Sequence, residues 1–543
     1  MTPPRARRGS DPGAAPLAAA VLAAAAVCHG LLLRAPFIYD DRAFILSDPA
    51  LVGRWPGWRA LFGVTTEGGE FEPLVRLAHW TLHHFFGAAP FPYRLTSLLL
   101  HWAVVWLVWR LIRRRVPEPW IAAGAAALFA AYPGVVPVLA QSTFKKHLLA
   151  ALFGLLALEA QDADSLPAAA RAALGALLFG LAALSKENGL IFLPLAAVSA
   201  WSRPGGFKRA DAWFLAAGTA AAAAYAGVRL TVLPRHYMPL MGGGLVWHLL
   251  SAGKILLWHL RELVLPVHLS LEHSLSPVTS FGPQAAGVLL GVGAWLAAGA
   301  FLARRDRIAA FGWAWVTLAL APFLNLIPFL NYSLVANRYD YFASAGAFLL
   351  LARLASPWLK PGAPGGGRRC AWAFGLPFLA FLALGARYAA LFSSPVDLWR
   401  EAERAAPLNP RVHAALGELY ASWHDDAAAE RELRLAVQLG PALPEPLVAL
   451  SWREAEDGRP KEALELARRR LLLRDDSTGE ANLGLLLVRA GRPREALPYL
   501  RRAAAMTPGP DAELALGQCL LALGRLDEAR SALDAAAADP SLA

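Results

Sequence analysis

Cysteine is nearly absent from this chain of 543 residues, which contains only Cys28, Cys370 and Cys519. Two fall in predicted membrane helices and one in a predicted soluble helix, so neither a disulfide framework nor a zinc site is expected. Lysine is almost as scarce, with seven residues, so the net charge of +11 is carried mainly by arginine. With abundant alanine, this is the imprint of high-GC bacterial coding rather than a functional signal. The arginine clusters adjoin apolar runs, the positive-inside pattern, and no nucleic acid is expected as a partner. The hydropathy pattern lacks an inverted repeat, which counts against a transporter.

Long apolar runs are plentiful. Apolar residues make up 56% of the chain, and candidate spans lie near 16–33, 92–112, 120–139, 147–159, 168–184, 189–202, 211–233, 247–265, 284–303, 308–330, 339–356 and 371–392. Arg5, Arg7 and Arg8 place the N-terminus inside as an uncleaved signal anchor, and a long outer loop follows over 34–91. Arg113–Arg115, then Arg203, Lys208 and Arg209, fall inside in turn. Arg304, Arg305, Arg307, Lys360, Arg368 and Arg369 do so only if one crossing is dropped. The segment 247–265, with His248, Lys254, His259, Arg261 and Glu262, is the best one to drop and reads as an interfacial helix. The expected architecture is an all-α membrane bundle of about 11 spans over 1–392, followed by an extracytoplasmic domain over 393–543.

That second domain repeats. Leu416-Gly417, Leu450-Ser451, Leu483-Gly484 and Leu516-Gly517 recur at intervals of 34, 33 and 33 residues, each followed thirteen residues after its Leu by Ala429, Ala463, Ala496 or Ala529. Gly458-Arg459-Pro460, Gly491-Arg492-Pro493 and Gly524-Arg525-Leu526 mark turns, and Pro441 and Pro508 stand at terminator positions. This is the tetratricopeptide pattern, a stack of helix pairs capped by a helix near Trp399–Ala406 that binds a peptide or protein.

Charged residues at membrane depth are functional hypotheses by default. Asp40 and Asp41 open the outer loop as an adjacent pair, suited either to capping a turn or to taking a proton from a hydroxyl. Lys145, Lys146, Lys186 and Arg338 fall on the same predicted side, where they either snorkel or hold a phosphate. Trp55, Trp58, Phe62, Phe71, Trp80, Phe85, Phe86 and Phe91 read as an interfacial belt. His79, His83 and His84 have helical spacing but no carboxylate to complete a ligand set, so no metal site is assigned and a divalent cation is left open. His268, Glu272 and His273 are weaker candidates for substrate contact.

Several motifs occur in a telling order: Tyr39-Asp40-Asp41, Glu72-Pro73-Leu74, Pro92-Tyr93-Arg94-Leu95, Leu98-Leu99-Leu100-His101, Lys146-His147-Leu148-Leu149-Ala150, Ser185-Lys186-Glu187-Asn188-Gly189 and Asn337-Arg338-Tyr339-Asp340-Tyr341. The chain resembles the polytopic GT-C glycosyltransferases, specifically the transmembrane-and-tetratricopeptide proteins related to protein O-mannosyltransferases. The resemblance implies an inverting hexosyl transfer from a polyprenyl-phosphate-linked sugar to a hydroxyl, on protein Ser or Thr among others, at the outer face of the bacterial inner membrane. It implies a first-loop carboxylate, Asp40 or Asp41, as base, and Arg338, Lys145, Lys146 and Lys186 at the donor phosphate. Glu72, Arg94, His101, Glu187, Tyr339 and Asp340 are the further substrate contacts it suggests. Glu72 stands where such proteins usually have Arg, a departure that bears on the donor sugar more than on the reaction class. The competing readings are an O-antigen or oligosaccharide ligase, whose large outer loop is expected late in the chain, and a membrane-anchored repeat scaffold.

Overall fold

Pro90 opens the helix around which the first part of the chain is built, Pro90–Arg115. Proline suits a first helical position because its missing N–H would have no partner there. Arg113, Arg114 and Arg115 occupy the last turn, where cations complement the unpaired carbonyls. At 1.5 Å per residue, Arg94 and Arg114 are separated by about 30 Å along the axis, the thickness of a hydrocarbon core. The Arg114 end is fixed by ion pairs: Arg114 and Arg110 lie 2.6 and 2.9 Å from Glu159, and Arg203 reaches Asp162 at 3.3 Å and Asp211 at 2.8 Å. The Arg94 end holds a second polar cluster. One apolar helix thus separates two charged ends.

This computed structural model describes residues 19, 23, 26–27, 29–38, 40–46, 51, 57–63, 71–232, 240–327, 333–359, 366–507 and 509–537. Arg5, Arg7, Arg8, Cys28, Tyr39, Trp55, Lys360, Pro508 and most of the first apolar run lie outside them. Among the described residues the chain is all-helical, without strands. It divides into two units: Met1–Leu51, Pro56–Leu271 and Leu275–Ser394 form the first, and Val52–Trp55, Glu272–Ser274 and Pro395–Ala543 the second.

The expectation of about 11 spans does not hold. Among the described residues four helices are long and apolar enough to cross a membrane: Pro90–Arg115, Ala168–Ser185, Pro283–Arg305 and Arg368–Leu391. A fifth is obtained if the pair Pro119–Ala131 and Pro133–Ala140, bent by 45°, counts as one. The physical reason is that hydropathy windows run straight through breaks. Pro133 and Pro137 interrupt the apolar run 120–139, since proline removes a backbone donor and clashes with the preceding turn. Phe192–Ser202, Arg307–Leu320 and Asp340–Ala355 are helices of 11, 14 and 16 residues, short of the ~20 residues that a bilayer core requires. Their apolar content fills the protein interior instead. Phe192 inserts its ring where a Cβ on Gly154 would come within 2.1 Å.

The helix Leu245–Val264 is not among these long apolar helices, in line with dropping it as a crossing, but its polar residues do not face water. An interfacial helix turns its polar face to water, but here His248, Ser251, His259 and Glu262 are buried while Val246, Leu249 and Val264 are exposed. Polar side chains that face inward are held there by hydrogen bonds. Ser251 Oγ accepts from the Val278 N–H at 2.8 Å, and His259 Nδ1 lies 2.7 Å from Asp340 Oδ1. Phe71, read from sequence as part of an interfacial belt, is buried against Ala183 and Tyr225, whereas Trp58, Phe62, Phe85, Phe86 and Phe91 are exposed.

In the second unit the helix Pro395–Ala405 precedes four helix pairs, Pro410–Ser422 with Asp426–Leu439, Glu445–Glu456 with Pro460–Leu473, Ser477–Arg489 with Pro493–Met506, and Pro510–Ala522 with Leu526–Ala537. The repeated small residues are where the partner helices meet. Ala429, Ala463, Ala496 and Ala529 are buried, and Gly417, Gly484 and Gly517 face Leu433, Leu500 and Leu533 too closely for a Cβ. The turns within pairs use a left-handed residue: Gly458, Gly491 and Gly524 have φ of 74°, 74° and 72°. In the first pair that position is His424, at φ 60°. A side chain there costs about 1 kcal/mol that glycine avoids, part of it returned by glycine's freer unfolded chain. His424→Gly is therefore expected to raise the stability of this unit by up to about 1 kcal/mol, read as a shift of its thermal unfolding midpoint.

Candidate functional site

The polar cluster at the Arg94 end is assembled from four stretches distant in sequence. Asp41 comes from the first outer segment, Arg94 from the start of Pro90–Arg115, Ser142 and Thr143 from the turn after Pro133–Ala140, and His79 from the helix Pro73–Phe86. Asp41 Oδ1 accepts the Thr143 N–H at 3.0 Å, and Oδ2 lies 2.8 Å from Arg94 Nη1. The latter contact is a close charge pair rather than an aligned hydrogen bond, and Nη1 also donates to Ser142 Oγ at 2.9 Å. Arg94 Nη2 donates to the Pro36 carbonyl at 2.5 Å and Nε approaches that of Ala35 at 3.5 Å. Both charges are fully buried. Arg94 thus braces the wall of the site, and its donors are committed to protein atoms rather than to a substrate. Asp40, by contrast, is only half-buried.

His79 Nε2 lies 3.0 Å from the Ser142 carbonyl. Burial lowers its pKa to about 3, and the nearby Lys145 ammonium acts in the same direction. The ring is therefore neutral, with Nε2–H donating to that carbonyl. His83 and His84 follow on the same helix and do not join it in a metal-binding group among the described residues.

The next residues form the cationic part. Glu72 Oε1 sits 3.3 Å from both Lys146 Nζ and Lys186 Nζ, and Lys186 Nζ is 3.6 Å from Glu187 Oε1. Arg338 joins through the Phe144 ring, whose centroid lies 5.2 Å from the guanidinium carbon and 5.9 Å from Lys146 Nζ. The turn that carries Lys186 is packed without slack, since a Cβ on Gly189 would come within 2.4 Å of the Ala182 carbonyl oxygen. The structure therefore brings Asp41, Glu72, Arg94, Lys145, Lys146, Lys186 and Arg338 into one neighbourhood.

Other sequence candidates are placed elsewhere. His101 is two turns further along Pro90–Arg115, inside the bundle, where Nδ1 meets Tyr341 Oη at 3.1 Å and Nε2 the Ala130 carbonyl at 3.3 Å. Asp340 is held by His259 and by Tyr132 Oη at 3.4 Å. Tyr339 stacks on Phe323 with ring centroids 4.2 Å apart, and His268 pairs with Glu262 at 3.1 Å.

Sequence reasoning passed over the residues just before Lys145. In Gln141-Ser142-Thr143-Phe144-Lys145-Lys146-His147 every residue is buried. The side-chain amide of Gln141, Thr143 Oγ1, Lys145 Nζ and His147 Nδ1 have no hydrogen-bond partner among the described residues. Buried polar atoms in native proteins are nearly always paired, so four such groups within seven residues mark this segment as a candidate for ligand contact. Their signal in the sequence was a polar heptapeptide between two apolar runs. Burial pushes the Lys145 ammonium down to about 7 against the pull of the Asp41 carboxylate, and the Arg94 guanidinium lowers it further. Lys145 opens the helix Lys145–Gln161, which is not among the four long apolar helices.

Comparison with known proteins adds three results. A tetratricopeptide-repeat family model matches residues 481–543. The chain is also similar to two curated proteins of Drosophila melanogaster. It is 29% identical over 133 residues to Protein O-mannosyl-transferase Tmtc1, covering 23% of this chain and 16% of that protein. It is 35% identical over 112 residues to Protein O-mannosyl-transferase Tmtc2, covering 19% and 12%. The matched stretches thus span less than a fifth of either relative. Among solved structures, that of the MamA protein aligns at 20% identity and a TM-score of 0.25, over 28% of this chain and 85% of that one. The chain thus has tetratricopeptide repeats, long apolar helices, and distant similarity to O-mannosyltransferases of the Tmtc kind.

Proposed function

We propose that this chain is a membrane glycosyltransferase of GT-C type, with residues 1–392 as the catalytic domain and 393–543 as a repeat domain that recruits a protein or peptide. It transfers a hexosyl group from a polyprenyl-phosphate carrier to an acceptor hydroxyl at the outer face of a bacterial inner membrane. The observation that carries this reading is the set of buried side chains of Gln141, Thr143, Lys145 and His147, without hydrogen-bond partners among the described residues, near the Asp41 and Glu72 carboxylates and a group of cations. The distant similarity to O-mannosyltransferases supports the coarser part of this reading, glycosyl transfer.

In this mechanism Asp40 takes the proton of the acceptor hydroxyl, being the carboxylate of the pair that is not sealed into the wall. The hydroxyl oxygen attacks the anomeric carbon with inversion. The bond from that carbon to the phosphate oxygen breaks, and its electron pair leaves with the lipid phosphate. Lys145, Lys146, Lys186 and Arg338 stabilise the departing charge, an electrostatic contribution that low dielectric strengthens. Asp41, through Arg94 and Thr143, holds the loop that presents these groups.

Binding of polyprenyl phosphate to the full chain in lipid nanodiscs tests the assignment. Lys145 is charged below about pH 7, and a lipid monophosphate gains its second charge near pH 6. Affinity is expected to peak between these values and to fall as pH rises beyond 7. Lys145→Gln is expected to weaken binding by about 10- to 100-fold, the worth of a charge-assisted hydrogen bond, and to remove the alkaline limb. Equal affinity and an unchanged pH profile in the variant would overturn the phosphate role and favour a scaffold that works through its repeats.

A further inference from the structure

A second cluster of ionisable side chains lies in the second unit and takes no part in the proposed transfer. Glu403 belongs to the helix Pro395–Ala405, His413 to Pro410–Ser422 and Glu432 to Asp426–Leu439. One ligand atom from each lies within 4.8 Å of the others. His413 is buried, and both of its ring nitrogens face acceptors: Nε2 is 2.9 Å from the Pro407 carbonyl and Nδ1 is 2.8 Å from Glu432 Oε2.

Those two contacts pose a chemical problem. A neutral imidazole has one N–H. With Nε2–H donating to Pro407, Nδ1 presents a lone pair to a carboxylate that also offers only lone pairs. A positive species must stand between them. A proton on Nδ1 would serve Glu432 alone and leave Glu403, which lies near Arg400, outside the contact. A divalent cation matches the charge of two carboxylates and a neutral imidazole. The fixed Nε2–H donating to a backbone carbonyl is also the usual orienting partner of a metal-bound histidine.

We propose that Glu403, His413 and Glu432 bind one divalent transition-metal cation of zinc type, clamping the helix before the repeats to the first repeat. The single imidazole favours zinc over calcium or magnesium, which prefer all-oxygen sites. Zinc–ligand distances near 2.0–2.2 Å would require Glu432 Oε2 to draw back by roughly half an ångström from Nδ1, which a half-buried glutamate can do by a side-chain adjustment. Three protein ligands leave one position for water or for a side chain from a bound partner.

The test is a zinc titration of the metal-stripped full chain in detergent against a colorimetric chelator, with calcium and magnesium in parallel. One zinc per chain is expected, absent in His413→Gln and weakened about 100-fold in Glu403→Gln. Glu403 is half-buried on the helix that precedes the repeats, so its variant keeps the repeat packing and separates ligand loss from unfolding. Zinc is further expected to raise the unfolding midpoint of the wild-type chain and not that of Glu403→Gln. Equal zinc binding in wild type and both variants, or none in wild type, would overturn the site and leave a plain His413–Glu432 contact.

Discussion

Replacing Asp40 with Asn is expected to reduce sugar transfer by about 10²–10⁴-fold, the usual worth of a positioned general base, while the protein folds normally. Asn matches Asp in shape but cannot hold the acceptor's proton. Because Asp40 is half-buried, the change should alter stability by no more than about 1 kcal/mol. Turnover of a polyprenyl-phosphate sugar by purified protein in nanodiscs, with unfolding midpoints measured on the same samples, reads both quantities. Wild-type turnover in this variant would remove Asp40 from the reaction.

Asp41→Asn should behave in the opposite way, with its main effect on folding. Asp41 and Arg94 are fully buried and 2.8 Å apart. Removing one charge of such a pair strands the other in low dielectric, at a cost of roughly 3–5 kcal/mol. Arg94 keeps Ser142 Oγ and the carbonyls of Pro36 and Ala35, which satisfy its N–H groups but not its charge. The Thr143 N–H loses an ionised acceptor as well. Low yield and a lowered midpoint are expected for Asp41→Asn, with partial recovery in the Asp41→Asn/Arg94→Gln double variant, where neither member of the pair is left charged. If the single variant unfolds at the wild-type midpoint, the pair is not the brace described here.

The contrast between neighbouring aspartates shows where reading the sequence stops. Their adjacency and their place after an apolar run marked them as functional. Nothing in Tyr39-Asp40-Asp41-Arg42 distinguishes the half-buried carboxylate from the one sealed into the wall. That difference is made by Arg94 and Thr143, which lie 53 and 102 residues beyond Asp41. The scarce lysines were legible because few other reasons exist for Lys145, Lys146 and Lys186 between apolar runs. Gln141 and Thr143 were not, since uncharged polar residues in a short turn look the same whether they face water or a ligand.

What the sequence determined by itself was local and periodic. It includes the helical class, the four repeats with their Leu-Gly and Ala positions, and the left-handed glycines of three turns. These follow from spacing along one helix or one helix pair, within about 34 residues. The number of membrane-length helices and the polarity of Leu245–Val264 were decided only in three dimensions. An apolar segment satisfies lipid and protein interior equally well, and hydropathy does not tell one from the other. The convergence of Asp41, Glu72, Lys146, Lys186 and Arg338 likewise depends on helix packing. Buried charges are tolerable only where opposite charges from distant segments meet them.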